Sequence, residues 1–372
     1  MQTKNHPEIV STQAFLLRPY QQRAVEWAKS SDGLIIAPAG CGKTVIASSI
    51  IKHYHHLNPD WSFGWTAPTR ETCEQARASL RAAGIPDGIV DIRCPHESVD
   101  FSKKNLLVVD ESKHSPARVL RAIIESCNGL RYGFDATPWS DDPERNAILR
   151  NLFRNNQFEI KREELGNVLA HATVYMSSAT DFLIQQKIDD HIEKLFTERK
   201  RYMRISQPEL RAMCAWEAIT EIGIVGNKQR NAAAIMFANC GGHSPTLVLV
   251  PRVTLGEEYA KAIGDAVLVY SKMAKKARRE AMEEFKAGNI KTMIATSLAD
   301  EGLDLPNVET LVMVSGGRSA QKTIQRASRA LRRADGKDRA YIHDFKDNFH
   351  PLAQAHANKR IKCYKELGCS IQ

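Results

Sequence analysis

Ala37-Pro38-Ala39-Gly40-Cys41-Gly42-Lys43-Thr44 follows the apolar run Gly33-Leu34-Ile35-Ile36, and a later run, Leu106-Leu107-Val108-Val109, ends directly in Asp110-Glu111-Ser112-Lys113-His114. A glycine-rich turn between a strand and a helix lets backbone N–H groups converge on phosphate oxygens, and the helix beginning near Thr44 aims its positive end at them. Gly40 and Gly42 open that turn, and Lys43 offers a cation to the β- and γ-phosphates. Thr44 brings a hydroxyl for magnesium, Asp110 would hold the same ion mostly through its water shell, and Glu111 is placed to orient or deprotonate an attacking water. The chemistry is that of a nucleoside triphosphatase using ATP and Mg2+. The glycine motif alone is weak, since Ala37 stands where its first glycine usually does. Its weight comes from the strand before it and from the acidic pair that follows.

Such side chains need a scaffold that delivers loops to one edge. From Gly33 to about Trp139, short apolar runs (34–37, 62–67, 105–109, 130–134) alternate with amphipathic stretches, which is the rhythm of a parallel sheet with crossover helices. The turn-forming run Thr137-Pro138-Trp139-Ser140-Asp141-Asp142-Pro143 breaks the pattern and announces a boundary. A second alternating series (246–250, 266–270, 291–295, 309–314, 339–342) repeats the architecture without a phosphate loop. Between the two, residues 181–237 read almost wholly as helix. The expectation is an α/β chain with two tandem parallel-sheet domains, 1–155 and 156–372, the second carrying a helical insertion at about 181–237. A nucleotide would then lie in a cleft that the second domain completes.

The chain has 372 residues, with 52 Lys and Arg against 43 Asp and Glu, a formal charge of +9 that favours polyanionic partners. The eight cysteines lack zinc-knuckle spacing and fit reduced thiols in a cytoplasmic protein. Cys41, inside the phosphate loop, is an expected oxidation liability because a helix N-terminus can lower a thiol pKa. The first ten residues lack the apolar core of a secretion signal, and no stretch has the ~18 apolar residues of a membrane span. A soluble cytoplasmic protein without membrane contact is expected.

Seven segments in order resemble the motifs of superfamily 2 DExH-box helicases: Arg18-Pro19-Tyr20-Gln21, 37–44, Thr66-Ala67-Pro68-Thr69-Arg70, 110–114, Asp135-Ala136-Thr137-Pro138, 295–306 and 325–332. The resemblance is strongest to the branch of type III restriction translocases, XPB-like repair helicases and small phage recombination helicases, and it covers nearly the whole chain. It implies two RecA-like domains. It also implies that Gln21 reads the adenine edge, that Thr66, Thr69, Arg70, Thr296 and Ser297 touch the nucleic-acid backbone, and that Gly302, Asp304 and Gln325 face the nucleotide. Arg329 and Arg332, three apart, would act as arginine fingers, for which a permanent charge and a forked donor set are suited. His114 resembles the last position of the DExH box, a relay from the γ-phosphate, with a buried structural histidine as the competing view.

Two departures stand out. Ser328 occupies a position that is usually Gly, and Asp135 replaces the usual Ser or Thr of the third motif, although an ionised Asp donates no hydrogen bond. The 67 positions from Lys43 to Asp110 leave no room for an inserted recognition domain. The expected activity is an ATP-dependent helicase or translocase, monomeric, acting on single-stranded, forked or branched DNA, with Arg199, Lys200, Arg201 and Arg204 as a candidate contact patch. An RNA-dependent ATPase, the motor subunit of a restriction system and a non-catalytic ATP-switched clamp are the rival readings.

Overall fold

A computed structural model describes residues 16–372 except 39, 98, 141, 169, 180–181, 241–243, 297–307, 318–325, 328–336 and 338. The chain divides into two units, Met1–Val168 and Leu169–Gln372. The division falls later than the boundary expected near 155, because Gln157–Glu159 pairs in parallel with Gly33–Ile36 and so belongs to the first sheet.

In the first unit the order is α1 (Pro19–Ser30), β1 (Gly33–Ile36), α2 (Lys43–Leu57), β2 (Phe63–Thr66), α3 (Arg70–Ala82), β3 (Val90–Arg93), β4 (Leu106–Asp110), α4 (Arg118–Ser126), β5 (Leu130–Asp135), α5 (Pro143–Leu152) and β6 (Gln157–Glu159). The strands stand in the order β3-β2-β4-β5-β1-β6, and every pair is parallel. Strands β1 and β2 are buried along their whole length, as a sheet covered by helices on both faces requires. One face packs Ile35, Ile46, Ile50, Trp65 and Val108; the other packs Leu34, Leu107, Val109, Ile124 and Phe153. The order matters for chemistry. Because β5 lies between β4 and β1, residue 135 emerges between Asp110 and the phosphate loop.

The second unit runs β7 (His171–Ala179), α6 (Phe182–Arg199), α7 (Gln207–Ala218), a π-helical turn (Ile219–Val225), α8 (Lys228–Cys240), β8 (Thr246–Leu249), α9 (Val253–Ala262), β9 (Ala266–Val269), α10 (Lys275–Lys286), β10 (Thr292–Ala295), β11 (Thr310–Met313), β12 (Arg339–Asp347), α11 (Pro351–Glu366) and β13 (Ser370–Ile371). Its seven-stranded sheet has the order β13-β7-β12-β11-β8-β10-β9, again parallel. The expected helical segment is present as α6, α7 and α8. Ser206 starts α7 with a capping box to Glu209, and the bidentate pair of Arg199 with Glu217 (2.7 and 2.8 Å) ties α6 to α7. No helix among the described residues is long and apolar enough to cross a membrane.

Beyond the last residue of β11 the chain is held by buried arginines. Arg230 of α8 donates to Asp347 Oδ1 (2.8 Å) and to the Val314 carbonyl (2.9 Å). Arg360 of α11 donates to both oxygens of Asp344 (2.8 and 3.1 Å) and to the Gly317 carbonyl (3.0 Å). Arg326 reaches Ser315 Oγ at 2.8 Å. Two main-chain carbonyls and one hydroxyl of the stretch 314–317 therefore meet permanent donors. Removing one partner strands the other charge. Arg360→Ala is expected to cost about 3–5 kcal/mol, read as a lower denaturant midpoint, whereas the paired change Arg360→Met with Asp344→Asn retains most of that stability.

Candidate nucleotide site

The phosphate loop needs backbone angles that most side chains resist. Gly40 and Gly42 have φ of +85° and +82°, and a Cβ on Gly42 would sit 2.6 Å from Gln21 Nε2. Helix α2 starts at Lys43 without any side-chain cap and without an acidic residue in its first turn. A phosphate suits both the geometry of such a helix start and its dipole. Lys43 and Thr44 occupy the first two helical positions.

Gln21 is buried behind this loop. Its Oε1 accepts from Arg18 N (3.0 Å) and its Nε2 donates to the Cys41 carbonyl (2.8 Å), so the amide ties the start of α1 to the phosphate loop. Cys41 is fully buried, and burial pushes its thiol up to about 11. That corrects the expectation of an oxidation liability: desolvation of the thiolate outweighs the helix N-terminus.

The acidic pair leaves β4 in a tight turn. Glu111 adopts φ 51°, ψ 50°, a left-handed conformation costing a non-glycine residue about 1–2 kcal/mol. Asp110 Oδ1 accepts the Glu111 N–H (3.0 Å), and the short helix Ser112–His114 follows. Asp135, only 3% exposed, accepts from Lys113 N with one oxygen and from Thr137 N with the other, both at 2.9 Å. The acidic substitution in the third motif thus works as an acceptor for two main-chain N–H groups.

Charges cluster accordingly. Burial works against the Lys43 ammonium, but the carboxylates of Asp110 and then Asp135 outweigh it and hold Lys43 above the usual lysine range. Burial pushes the Asp110 carboxyl up against the pull of Lys43. For Glu111 burial also acts upward, yet Lys113, followed by Lys43 and His114, brings the carboxyl below its ordinary value. Glu111 therefore stays ionised at neutral pH.

One assignment needs correction. A four-residue Asp-Glu-x-His box starting at Asp110 ends at residue 113, which is Lys. Lys113 Nζ lies 2.9 Å from Glu111 Oε2 with only 9% of its side chain exposed, whereas His114 is 49% exposed and 4.0 Å away. His114 is neither the fourth residue of the box nor a buried structural histidine. Counting along the motif, rather than looking for the nearest histidine, would have found Lys113.

Of the proposed nucleic-acid contacts, Thr66 is wholly buried at the end of β2 and offers no hydroxyl to solvent. Thr69 caps α3, exchanging hydrogen bonds with Thr72, and Arg70 is 78% exposed beside Glu97 at 3.6 Å. Thr296 follows β10, its N–H 3.4 Å from the Val269 carbonyl. Ser297, Gly302, Asp304, Gln325, Arg329 and Arg332 lie outside the described residues.

Residues 14–87 match the family model for the res subunit of type III restriction enzymes, and residues 222–334 match the helicase conserved C-terminal domain. The chain belongs to superfamily 2, in the type III restriction and XPB-like branch. Among its superfamily 2 relatives is a protein provisionally named helicase 22 from Sulfolobus islandicus filamentous virus (isolate Iceland/Hveragerdi), 26% identical over 89% of this chain and 64% of that one. Another is DNA 3′-5′ helicase XPB of Kineococcus radiotolerans, 23% identical over 88% of this chain and 59% of that one. The chain spans 51% to 64% of the length of the first curated relatives it matches. The helicase domain of Pyrococcus furiosus Hef shares the fold, with a TM-score of 0.56 at 15% identity over 91% of this chain and 97% of that one.

Two outcomes follow from the loop geometry. Gly42→Ala is expected to lower stability by about 1–2 kcal/mol, from backbone strain, and to weaken binding of an ATP analogue at least tenfold in calorimetry. Cys41 in the native protein should resist iodoacetamide at pH 7.5 and become labelled only on denaturation, as peptide mass spectrometry would show.

Proposed function

We propose that the chain is an ATP-dependent DNA motor, a helicase or translocase acting on forked or branched DNA in replication, recombination or repair. The observation that carries this reading is the meeting of three loops at the carboxyl ends of the adjacent strands β4, β5 and β1, where Asp110, Glu111, Asp135 and Lys43 interact. An uncapped helix N-terminus, a lysine and a buried aspartate fit a nucleoside triphosphate with Mg2+. Bound there, the metal would neutralise phosphate charge, with Asp110 and Thr44 as its protein contacts. Gly40, Gly42 and the first turn of α2 cradle phosphate oxygens, Lys43 supplies the opposing charge, and ionised Glu111 orients the attacking water and takes its proton. Beyond its bonds to Arg18 and Cys41, the Gln21 amide has a second hydrogen and a second lone pair, enough to read a base edge. Arg329 and Arg332 take the arginine-finger role and Gly302, Asp304 and Gln325 the nucleotide contacts by resemblance.

Exposed Arg70 with Thr69, and Thr296 with Ser297, supply backbone-type contacts that read phosphate rather than sequence. Relatives are named as 3′-5′ helicases, which supports the same direction of travel here. Structure-selective binding is assigned to the turn between α6 and α7, where Lys200, Arg201 and Arg204 are exposed beside Tyr202, itself 69% exposed. The protein acts in the cytoplasm, as a monomer.

The test is steady-state ATP hydrolysis with no nucleic acid, single-stranded, forked and duplex DNA, and RNA. DNA, forked DNA above all, is expected to stimulate turnover, and Glu111→Gln to lower kcat by about 10²-fold or more. Stimulation by RNA alone would replace the substrate, and no hydrolysis under any condition would sink the motor reading.

A further inference from the structure

Lys113 and Asp135 both depart from the family's motifs, and the structure puts them in contact. We infer that Lys113 is a positioning residue for Glu111, gripping the carboxylate that faces the attacking water, while Asp135 fixes the main chain on which Lys113 stands. The inference rests on the hydrolytic role proposed for Glu111.

The turn that presents Glu111 is constrained from several sides. Asp110 Oδ1 accepts the Glu111 N–H at 3.0 Å, His114 N–H closes onto the Glu111 carbonyl at 3.2 Å, and Ser115 N–H onto Ser112 O at 2.9 Å. Lys113 itself is held at both main-chain groups, by Asp135 Oδ2 at its N–H (2.9 Å) and by Arg145 Nη2 at its carbonyl (3.4 Å). These bonds compensate the left-handed conformation of Glu111, which a free loop would relax. They fix the backbone, and the carboxylate itself is gripped by Lys113 Nζ, 2.9 Å from Glu111 Oε2.

A solvated lysine would make a poor clamp, because an exposed ion pair gains little and is screened. Lys113 is different in that its side chain is 9% exposed while Glu111 retains 33%, so the cation is packed in place and the carboxylate keeps an open side. That asymmetry suits a group that must be aimed and still reach a ligand. Lys43 is the expected phosphate partner, and His114 at 4.0 Å is beyond hydrogen-bond distance.

The experiment compares wild type with Lys113→Met and Lys113→Arg, measuring DNA-stimulated hydrolysis and melting temperature, and solves nucleotide-free crystal structures of wild type and Lys113→Met. A misaimed carboxylate should lower kcat on the order of 10- to 100-fold in Lys113→Met, leaving KM for ATP and the melting temperature close to wild type. Lys113→Arg, which keeps charge and reach, should recover most of the turnover. The crystal structures should show Nζ on Glu111 in wild type and the carboxylate turned away in Lys113→Met. The inference is overturned if kcat stays at the wild-type value, if it falls only in step with the melting temperature, or if Glu111 keeps its place without Lys113. A wild type that hydrolyses no ATP would defeat the motor reading, and the pair of crystal structures would still decide whether Lys113 aims Glu111.

Discussion

The carboxylate of Asp135 is the joint on which the nucleotide site depends. It is nearly inaccessible, yet it is an acceptor with two backbone N–H partners, one in the turn after β4 and one in the turn after β5. Charge-assisted hydrogen bonds to amides are among the stronger ones available to a protein interior, and they compensate much of the desolvation a buried carboxylate suffers. The position is a consequence of strand order: only a residue leaving β5 lies between the acidic turn and the phosphate loop. From there the same charge also supports Lys43. One side chain thus joins two turns and, after Asp110, helps keep Lys43 charged.

The second unit solves a similar problem with the opposite sign. Residues 314–317, after β11, include Gly316 and Gly317 with positive φ. Arg230 and Arg360, from two helices, supply donors whose own charges are balanced by Asp347 and Asp344 of β12. Arg230 also lies over the Phe345 ring at 4.1 Å. In both units irregular backbone at the carboxyl end of a sheet is fixed by buried ionic side chains, which is the arrangement expected where a loop must be rigid and still face a polar ligand.

Much of the first sheet was legible because its central strands are continuous apolar runs that end in glycine or acidic residues; the expected 105–109 and the observed Leu106–Asp110 differ by a residue. Strand β3 escaped notice since Asp91 and Arg93 interrupt it, and β6 because a three-residue edge strand buries almost nothing. The phosphate loop and acidic pair were legible through order and spacing. What was not legible depends on contacts distant in sequence: the Gln21 amide, expected to read an adenine edge, bound to the phosphate loop, Cys41 closed off from solvent, and Thr66 fully buried. Arg230 and Arg360 carry no local signal of their burial, because their partners lie 117 and 16 residues away. Lys113 was hidden for a simpler reason, since a neighbouring histidine fitted the motif's name.

The bond from Asp135 reaches residue 113 through its main-chain N–H, which every amino acid except proline possesses. Position 113 can therefore change its side chain over evolutionary time without breaking the link between the two turns, whereas position 135 must keep a short side chain bearing an oxygen acceptor. Drift among related chains should be lopsided, broad at the first site and confined to Asp, Asn, Ser and Thr at the second. A lineage can in this way exchange the group that touches Glu111 while the frame that carries it stays intact.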